Sequence, residues 1–141
     1  MEQKSATLAG CSLSVTLRLD PEPVQVGYAR EQVRKVTPGW GLAEHDDLLQ
    51  LIVSELVTNS LAHCDGPIEV RLSYDGIDLW IEVSDNGNEM PVRQDPDDED
   101  ESGRGLQLVD GLIEMYGGVR GTAEHSSRAG KTVFVALTAL S

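Results

Sequence analysis

The chain has 141 residues, of which 11 are Lys or Arg and 24 are Asp or Glu, giving a formal net charge of −13 at pH 7. This length suits one domain with its own hydrophobic core, and the 40% hydrophobic content is that of a globular protein. The excess of acid disfavours direct binding to nucleic acid and to anionic membranes, since both require a surplus of cations.

The sequence contains no apolar run long enough to span a bilayer, and its first residues lack the pattern of a secretory signal. Cys11 and Cys64 have no metal-ligand spacing; the sequence favours two reduced thiols and leaves a disulfide open. We therefore expect a cytoplasmic protein with a flexible segment at residues 1–12 and one domain at residues 13–141.

Alternating apolar and polar residues predict a first strand at 15–19, which Asp20-Pro21 ends. A helix is expected at about 22–36, where Thr37-Pro38-Gly39 ends it. The clearest helix covers residues 46–63. At about 100° per residue, its apolar arc holds Leu49, Ile52, Val53, Leu56 and Ser60, and its opposite face holds Asp47, Ser54 and Thr58.

Two further strands form the strongest strand signal of the sequence. Residues 68–74 alternate, Asp75-Gly76 suits a tight turn, and the alternation resumes at 77–83. We expect an antiparallel hairpin in which Ile77 and the later odd-numbered residues share one buried face.

Residues 86–104 form a long polar loop, which we interpret as a lid, because such a connection in a small domain is typically functional or disordered. A helix resumes from Gly105 to about Tyr116, and strands at about 119–124 and 133–137 follow. This order predicts an α+β fold, a two-layer sandwich with helices on one face of a mixed, mostly antiparallel sheet.

Three polar residues lie one turn apart on the second helix: Glu55, Asn59 and His63. They stack along one line at the border of the apolar arc. One interpretation is a row of helix-edge residues that their neighbours satisfy. The other is a carboxylate and a carboxamide at the mouth of a cleft, where the amide oxygen suits Mg²⁺ and the carboxylate suits a general base.

Asp85 has the parity of Ile81 and Val83, so it continues the buried face of its strand at the point where the strand ends. A buried carboxylate needs a partner because leaving it bare is costly. Asp85 either bonds the backbone of the turn that follows or accepts a hydrogen bond from a ligand, with Gly87 allowing close approach.

Glycines precede the third helix in Ser102-Gly103-Arg104-Gly105, where exposed amides favour phosphate. The combination is more specific than any one feature: ELVTNSLAH on a helix, DNGNEMP after a hairpin strand and SGRGLQLV after a loop. Over about residues 13–138 the chain resembles the ATP-binding domain of histidine kinases, gyrase, heat-shock chaperones and mismatch-repair ATPases, the GHKL superfamily with its Bergerat-type fold. Within it, the chain looks most like the anti-sigma-factor serine kinases of actinobacterial regulators.

The resemblance implies roles for the residues on the second helix and after the hairpin. Asn59 would coordinate Mg²⁺ that bridges the ATP phosphates. Glu55 would be the general base that takes a proton from a serine hydroxyl or from water. Asp85 would bond the adenine amino group, Gly87 would make room for the ring, and His63 would have a supporting role.

The resemblance also implies roles nearer the end of the chain. The amides of Gly103, Arg104 and Gly105 would hold phosphates, and Leu106 would pack behind them. Thr132 matches the position of a hydroxyl near the adenine in the last strand.

The function implied is that of a Mg-ATP-dependent serine kinase that phosphorylates an anti-sigma-factor antagonist and also binds a sigma factor. A non-catalytic, ATP-responsive module that sequesters a partner is the alternative from another class. A detached sensor-kinase fragment is less favoured, because His45 and His125 lie in contexts unsuited to a phosphoacceptor. Members of the family often dimerise, so a homodimer is open.

Two features depart from the family pattern. The segment at 86–91 lacks a second glycine, and six acids fall within residues 95–101 of the expected lid. These acids form either a solvated segment or an electrostatic gate or partner-docking surface. An acidic chain binds a polyanion by local means, and Mg²⁺ on Asn59, the amides at 103–105, Arg104 and Lys131 are the candidates.

Overall fold

Six strands form one sheet in the computed structural model, which describes residues 2–6, 12–64, 66–85, 102–125, 130–138 and 140, with the backbone alone for 2–6 and 102–105. The strands are β1 (Glu2–Ala6), β2 (Leu13–Leu19), β3 (Ile68–Tyr74), β4 (Leu79–Asp85), β5 (Val119–Glu124) and β6 (Lys131–Leu137). Their order across the sheet is β1-β2-β3-β4-β6-β5. Each pair of neighbouring strands among those described is antiparallel. A mixed, mostly antiparallel sheet was predicted, and the described sheet is wholly antiparallel.

Three helices pack against the sheet: α1 (Val24–Val36), α2 (Asp46–His63) and α3 (Ser102–Met115). Two short 3-10 helices, Thr37–Trp40 and Ala43–His45, connect α1 to α2. Helix α2 lies centrally, against α1 and α3 and over β3 and β4. The predicted two-layer α+β sandwich is confirmed. Among the described residues, no helix combines the length and apolar character needed to cross a membrane.

The core lies between the helices and one face of the sheet, and alternation along the strands creates it. Each inward side chain removes apolar surface from water, which stabilises the fold by about 1.5–3 kcal/mol per large aliphatic group. The buried side chains of the four central strands and of α2 include Leu17, Leu19, Val70, Leu72, Ile81, Val83, Val133, Val135, Leu49, Ile52 and Leu56.

Helix α2 has the predicted bounds, and its predicted arc of Leu49, Ile52, Val53, Leu56 and Ser60 is buried. Ser54 differs from the prediction, because it is only 6% exposed instead of lying on the wet face. Helix α1 covers this flank of α2, and Arg30 Nη1 donates to Ser54 Oγ at 3.4 Å. The periodicity of α2 alone could not predict this contact, because Arg30 belongs to another helix.

The hairpin between β3 and β4 is confirmed, but its turn is longer than predicted. Tyr74 pairs with Leu79, which leaves a four-residue connection, and Ile77 is 61% exposed within it. The Asp75 side chain accepts hydrogen bonds from the amides of Ile77 and Asp78, which closes the longer turn. Because the register moves by two residues, Ile81, Val83 and Asp85 keep the predicted face.

One strand and one helix start were not predicted. Residues 2–6 form the edge strand β1, paired with β2, although their polar sequence has no apolar alternation and a flexible segment was expected there. Helix α3 begins at Ser102 and not at Gly105. Glycine lowers helix propensity by about 1 kcal/mol relative to alanine, so the sequence placed Gly103 in the loop and began the helix only at Gly105.

Candidate functional site

Helix α2 presents one line of polar side chains toward its border with the sheet. Asn59 is 5% exposed, whereas Glu55 and His63 are half-buried. Since the three are successive i and i+4 neighbours on a regular helix, their side chains point along one side, with about 6 Å between adjacent Cβ atoms. The structure thus places a carboxylate, a buried carboxamide and an imidazole in one row.

Asp85 ends β4 on the inner face of the sheet, as its parity predicts, and is 3% exposed. Lys131 Nζ, at the start of β6, donates to Asp85 Oδ2 at 3.3 Å. The Lys131 side chain is 16% exposed, so the pair is largely removed from water. A buried carboxylate beside a cation is compensated where a bare one would be costly.

His63 connects the row on α2 to this ion pair. Burial holds the pKa of His63 below its ordinary value; the positive charge of Lys131 lowers it further, and Asp85 acts in the opposite direction. Both charges act on the ring because the end of α2 lies near the start of β6 and the end of β4. The His63 imidazole is therefore harder to protonate than an ordinary histidine, and Lys131 is a cation close to it.

The resemblance implies a position near the adenine for the Thr132 hydroxyl; in the structure this hydroxyl and the Asp85 carboxylate lie on opposite faces of the sheet. Thr132 is paired with Ser84, and their hydroxyl oxygens lie 2.8 Å apart on the open face of the sheet. His125 Nε2 lies 3.0 Å from the same Thr132 oxygen. Strand alternation turns neighbouring residues to opposite faces, so Lys131 and not Thr132 is beside Asp85.

Sequence reasoning gave Lys131 only a general role as a cation for a polyanion. The alternation of the last strand could have located Lys131 on the inner face. Lys131 has the parity of Val133, Val135 and Leu137, all of which are buried. A charged residue on the inner parity at a strand end marks a position where a buried partner is needed.

The phosphate-binding residues predicted after the lid lie in the first turn of α3. The backbone of Gly103, Arg104 and Gly105 is helical, and Leu106 packs against the core. The first four amides of a helix have no partner within it and carry partial positive charge, so this turn can receive an anion through its backbone. The side chain of Arg104 and all of Gly87 lie outside the described residues.

The donors present fit Mg-ATP chemistry. No group of three or more His, Cys, Asp and Glu side chains able to hold a metal unaided occurs in the described part of the chain. Mg²⁺ in nucleotide sites takes few protein ligands and is otherwise held by phosphates and water. The carboxamide oxygen of Asn59, next to Glu55 on the same helix side, is a suitable single ligand.

Comparison with known proteins agrees with this geometry. Residues 44–140 match the family model described as histidine kinase-, DNA gyrase B- and HSP90-like ATPase. Among solved structures, the histidine kinase domain of the blue-light activated histidine kinase from Erythrobacter litoralis EL346 has a similar fold, with a TM-score of 0.54 and 21% sequence identity. The match covers 83% of this chain and 60% of that one. No protein in the curated set is significantly similar.

The family match at residues 44–140 includes α2, β4, α3 and β6, which are the elements that carry the candidate site. The chain therefore belongs to the family of histidine kinase-, DNA gyrase B- and HSP90-like ATPases, for which ATP is the expected ligand.

Proposed function

We propose that this protein binds Mg-ATP between α2 and the end of β4 and transfers the γ-phosphoryl group to a serine of a protein partner. The partner proposed is an anti-sigma-factor antagonist, and the same protein would bind a sigma factor when the antagonist is phosphorylated. The observation that carries the proposal is the position of Asp85, a buried acid at the inner end of β4, near the helix that bears Glu55 and Asn59.

Each residue then has one task. Asp85 accepts a hydrogen bond from the adenine amino group, which is a donor that a buried carboxylate selects. The carboxamide of Asn59 supplies an oxygen for Mg²⁺, and the first amides of α3 bind phosphate oxygens.

Glu55 accounts for the transfer step. Its carboxylate is half-buried one turn before Asn59, so it can face a hydroxyl brought to the phosphates. Glu55 would take the proton of a serine hydroxyl while that oxygen bonds to the γ-phosphorus and the bond to the ADP oxygen breaks. Phosphoryl transfer depends chiefly on such positioning and on charge stabilisation.

The overall charge constrains how this site works. A chain with a formal net charge of −13 repels a nucleotide at long range, so affinity must come from contacts at the site. Bound Mg²⁺ and the amides at the start of α3 supply that local positive potential. We expect ATP affinity to depend strongly on Mg²⁺ for this reason.

One observation favours a second candidate, a non-catalytic module that sequesters its partner in response to ATP. The six acids within residues 95–101 would repel a nucleotide and an acidic substrate alike, and they suit a surface for a basic partner segment. Such a module would bind ATP and change its affinity for the partner without transferring phosphate. In either case we expect action in the cytoplasm, with a homodimer as the assembly to check by sedimentation.

Phosphotransfer separates the two candidates. The full chain is incubated with ATP labelled on the γ-phosphate, Mg²⁺ and purified candidate antagonists from the host. The kinase proposal predicts phosphoserine on one antagonist, and it predicts that Glu55→Gln abolishes the product while calorimetric ATP affinity stays near the wild-type value. If wild-type protein binds ATP but labels none of the candidates, the binding module replaces the kinase.

A further inference from the structure

The pair of Asp85 and Lys131 has a definite place in the sheet. Strands β4 and β6 are neighbours, and their last described pair is Ser84 with Thr132. The next position along the same register sets Asp85 opposite Lys131, on the inner face. The two charged groups therefore approach as directly opposed cross-strand neighbours, with 3.3 Å between Nζ and Oδ2.

This arrangement offers an acceptor and a donor side by side. A carboxylate only accepts hydrogen bonds and its oxygens can accept more than one, whereas an ammonium only donates and has three hydrogens to give. One edge of the six-membered ring of adenine offers the complementary donor and acceptor, because its 6-amino group donates and the adjacent ring nitrogen N1 accepts. A ligand amine received by Asp85 thus brings an acceptor toward the Lys131 ammonium.

We propose that Lys131 is a specificity-determining residue for the base, donating a hydrogen bond to N1 of adenine while Asp85 accepts from the 6-amino group. This inference rests on the proposed nucleotide site, since it assumes that ATP binds at Asp85. Lys131, and not Thr132, then lies on the inner face beside Asp85, because alternation turns Thr132 to the other face.

A purely structural role for Lys131 makes a different prediction. If the ammonium only offsets the burial of Asp85, its removal weakens the fold and every purine ligand equally. If it donates to N1, its removal weakens ligands that carry N1 and leaves ligands without N1 unaffected beyond that common loss. An analogue with CH in place of N1 distinguishes the two roles.

The experiment is a calorimetric titration of the full chain with Mg-ATP and with the triphosphate of 1-deazaadenosine. A hydrogen bond from a charged donor is worth enough to predict that wild-type protein binds ATP about tenfold to a hundredfold more tightly than the analogue. In Lys131→Met this ratio should fall to about one. In Lys131→Gln, whose amide still donates, part of the ratio should return. Circular dichroism verifies that each variant is folded.

The outcomes separate this inference from the proposed function. If wild-type protein binds ATP but its affinity ratio is near one, the role of Lys131 is overturned and ATP binding stands. The same conclusion follows if folded Lys131→Met keeps the wild-type ratio. A ratio that behaves as predicted in a protein without phosphotransfer supports Lys131 and overturns the kinase alone. Wild-type protein that binds neither ligand overturns both.

Discussion

Lys131 Nζ lies 3.3 Å from Asp85 Oδ2, and the two side chains are 16% and 3% exposed. The pair explains how β4 can end in a buried acid. An uncompensated carboxylate at this position would cost several kcal/mol, whereas a hydrogen-bonded cation offsets much of that cost. The ion pair therefore stabilises the fold at the position where we propose that the adenine base binds.

The first prediction concerns the stability that depends on this pair. Lys131→Met leaves the Asp85 charge buried without its cation, so we expect a loss of about 2–3 kcal/mol in the free energy of unfolding, somewhat less than for a fully buried pair. Adding Asp85→Asn in the same chain removes the buried negative charge and should recover most of the loss. Urea unfolding at pH 7 measures each variant.

A matched control is the exposed cross-strand pair of Arg18 and Glu69, whose side chains are 3.6 Å apart. Glu69→Gln should change the free energy of unfolding by less than about 0.5 kcal/mol. If Lys131→Met has an effect no larger than this control, the pair of Asp85 and Lys131 does not stabilise the fold.

The second prediction concerns the titration of His63. Burial and the charge of Lys131 lower the pKa of His63, and Asp85 raises it. Lys131→Met should therefore raise the pKa of His63, and Asp85→Asn should lower it. Proton NMR of the imidazole follows the titration, with Asp110→Asn as a control that should not move it. Equal midpoints in all four proteins would contradict the proximity of these groups.

The same pKa gives a dependence of stability on pH. The folded-state pKa of His63 lies below the value of about 6.5 that the unfolded chain has. Protonation then favours the unfolded state, so the contribution of His63 is complete above about pH 6.5 and is lost as the pH falls through the folded-state pKa. His63→Gln should reduce the fall in stability over this interval, as measured by thermal unfolding.

The third prediction concerns the link between α3 and the edge strand β5. Arg120 donates from Nε and Nη2 to the two oxygens of Asp110, at 2.7 and 3.0 Å. Asp110→Asn should cost about 0.5–1 kcal/mol at pH 7, discounted because the carboxylate is half exposed. Urea unfolding measures it, and Glu31→Gln, which breaks an exposed pair within α1 only, should have a smaller effect.

The acid dependence of this difference has a defined sign. The hydrogen bonds from Arg120 hold the pKa of Asp110 below its ordinary value. The pair therefore stabilises the fold above the unfolded-state pKa of about 3.9, and this contribution is lost as the pH falls through the lower folded-state pKa. The difference between wild type and Asp110→Asn should be constant near neutral pH and should shrink in acid. A difference that grows in acid would contradict the assignment.

The fourth prediction concerns Asn59 and the metal. Asn59→Ala removes the proposed Mg²⁺ ligand, so ATP affinity should lose most of its dependence on Mg²⁺, whereas Asn59→Asp, which keeps an oxygen ligand, should retain it. Calorimetry with Mg²⁺ and with EDTA gives the two affinities. An unchanged gain from Mg²⁺ in Asn59→Ala would place the metal elsewhere.

Much of the fold was predictable because it depends on local periodicity. Helix α2 has the predicted bounds, since an 18-residue amphipathic pattern is unambiguous. The inner position of Asp85 was also predictable, because parity along a strand survives the two-residue change in register that moved Ile77 into the turn.

Other features depend on contacts between distant segments and were not predictable. Ser54 is buried because α1 lies across it, and β1 exists because β2 offers it an edge. The place of Thr132 was inferred from resemblance, and the register of β6 with β4 assigned the inner position to Lys131. The position of the first backbone amides of α3 depends on where this helix begins. The sequence does not predict that boundary, because the glycines near it have low helix propensity.

The most direct test of the nucleotide site is a calorimetric titration of the full chain with ATP in the presence of Mg²⁺, comparing wild type, Asp85→Asn and the remote variant Asp110→Asn. A site at Asp85 predicts saturable binding by wild type, the same affinity in Asp110→Asn, and an affinity weaker by at least about tenfold in folded Asp85→Asn. No binding by wild type at millimolar ATP, or equal binding by Asp85→Asn, would contradict it.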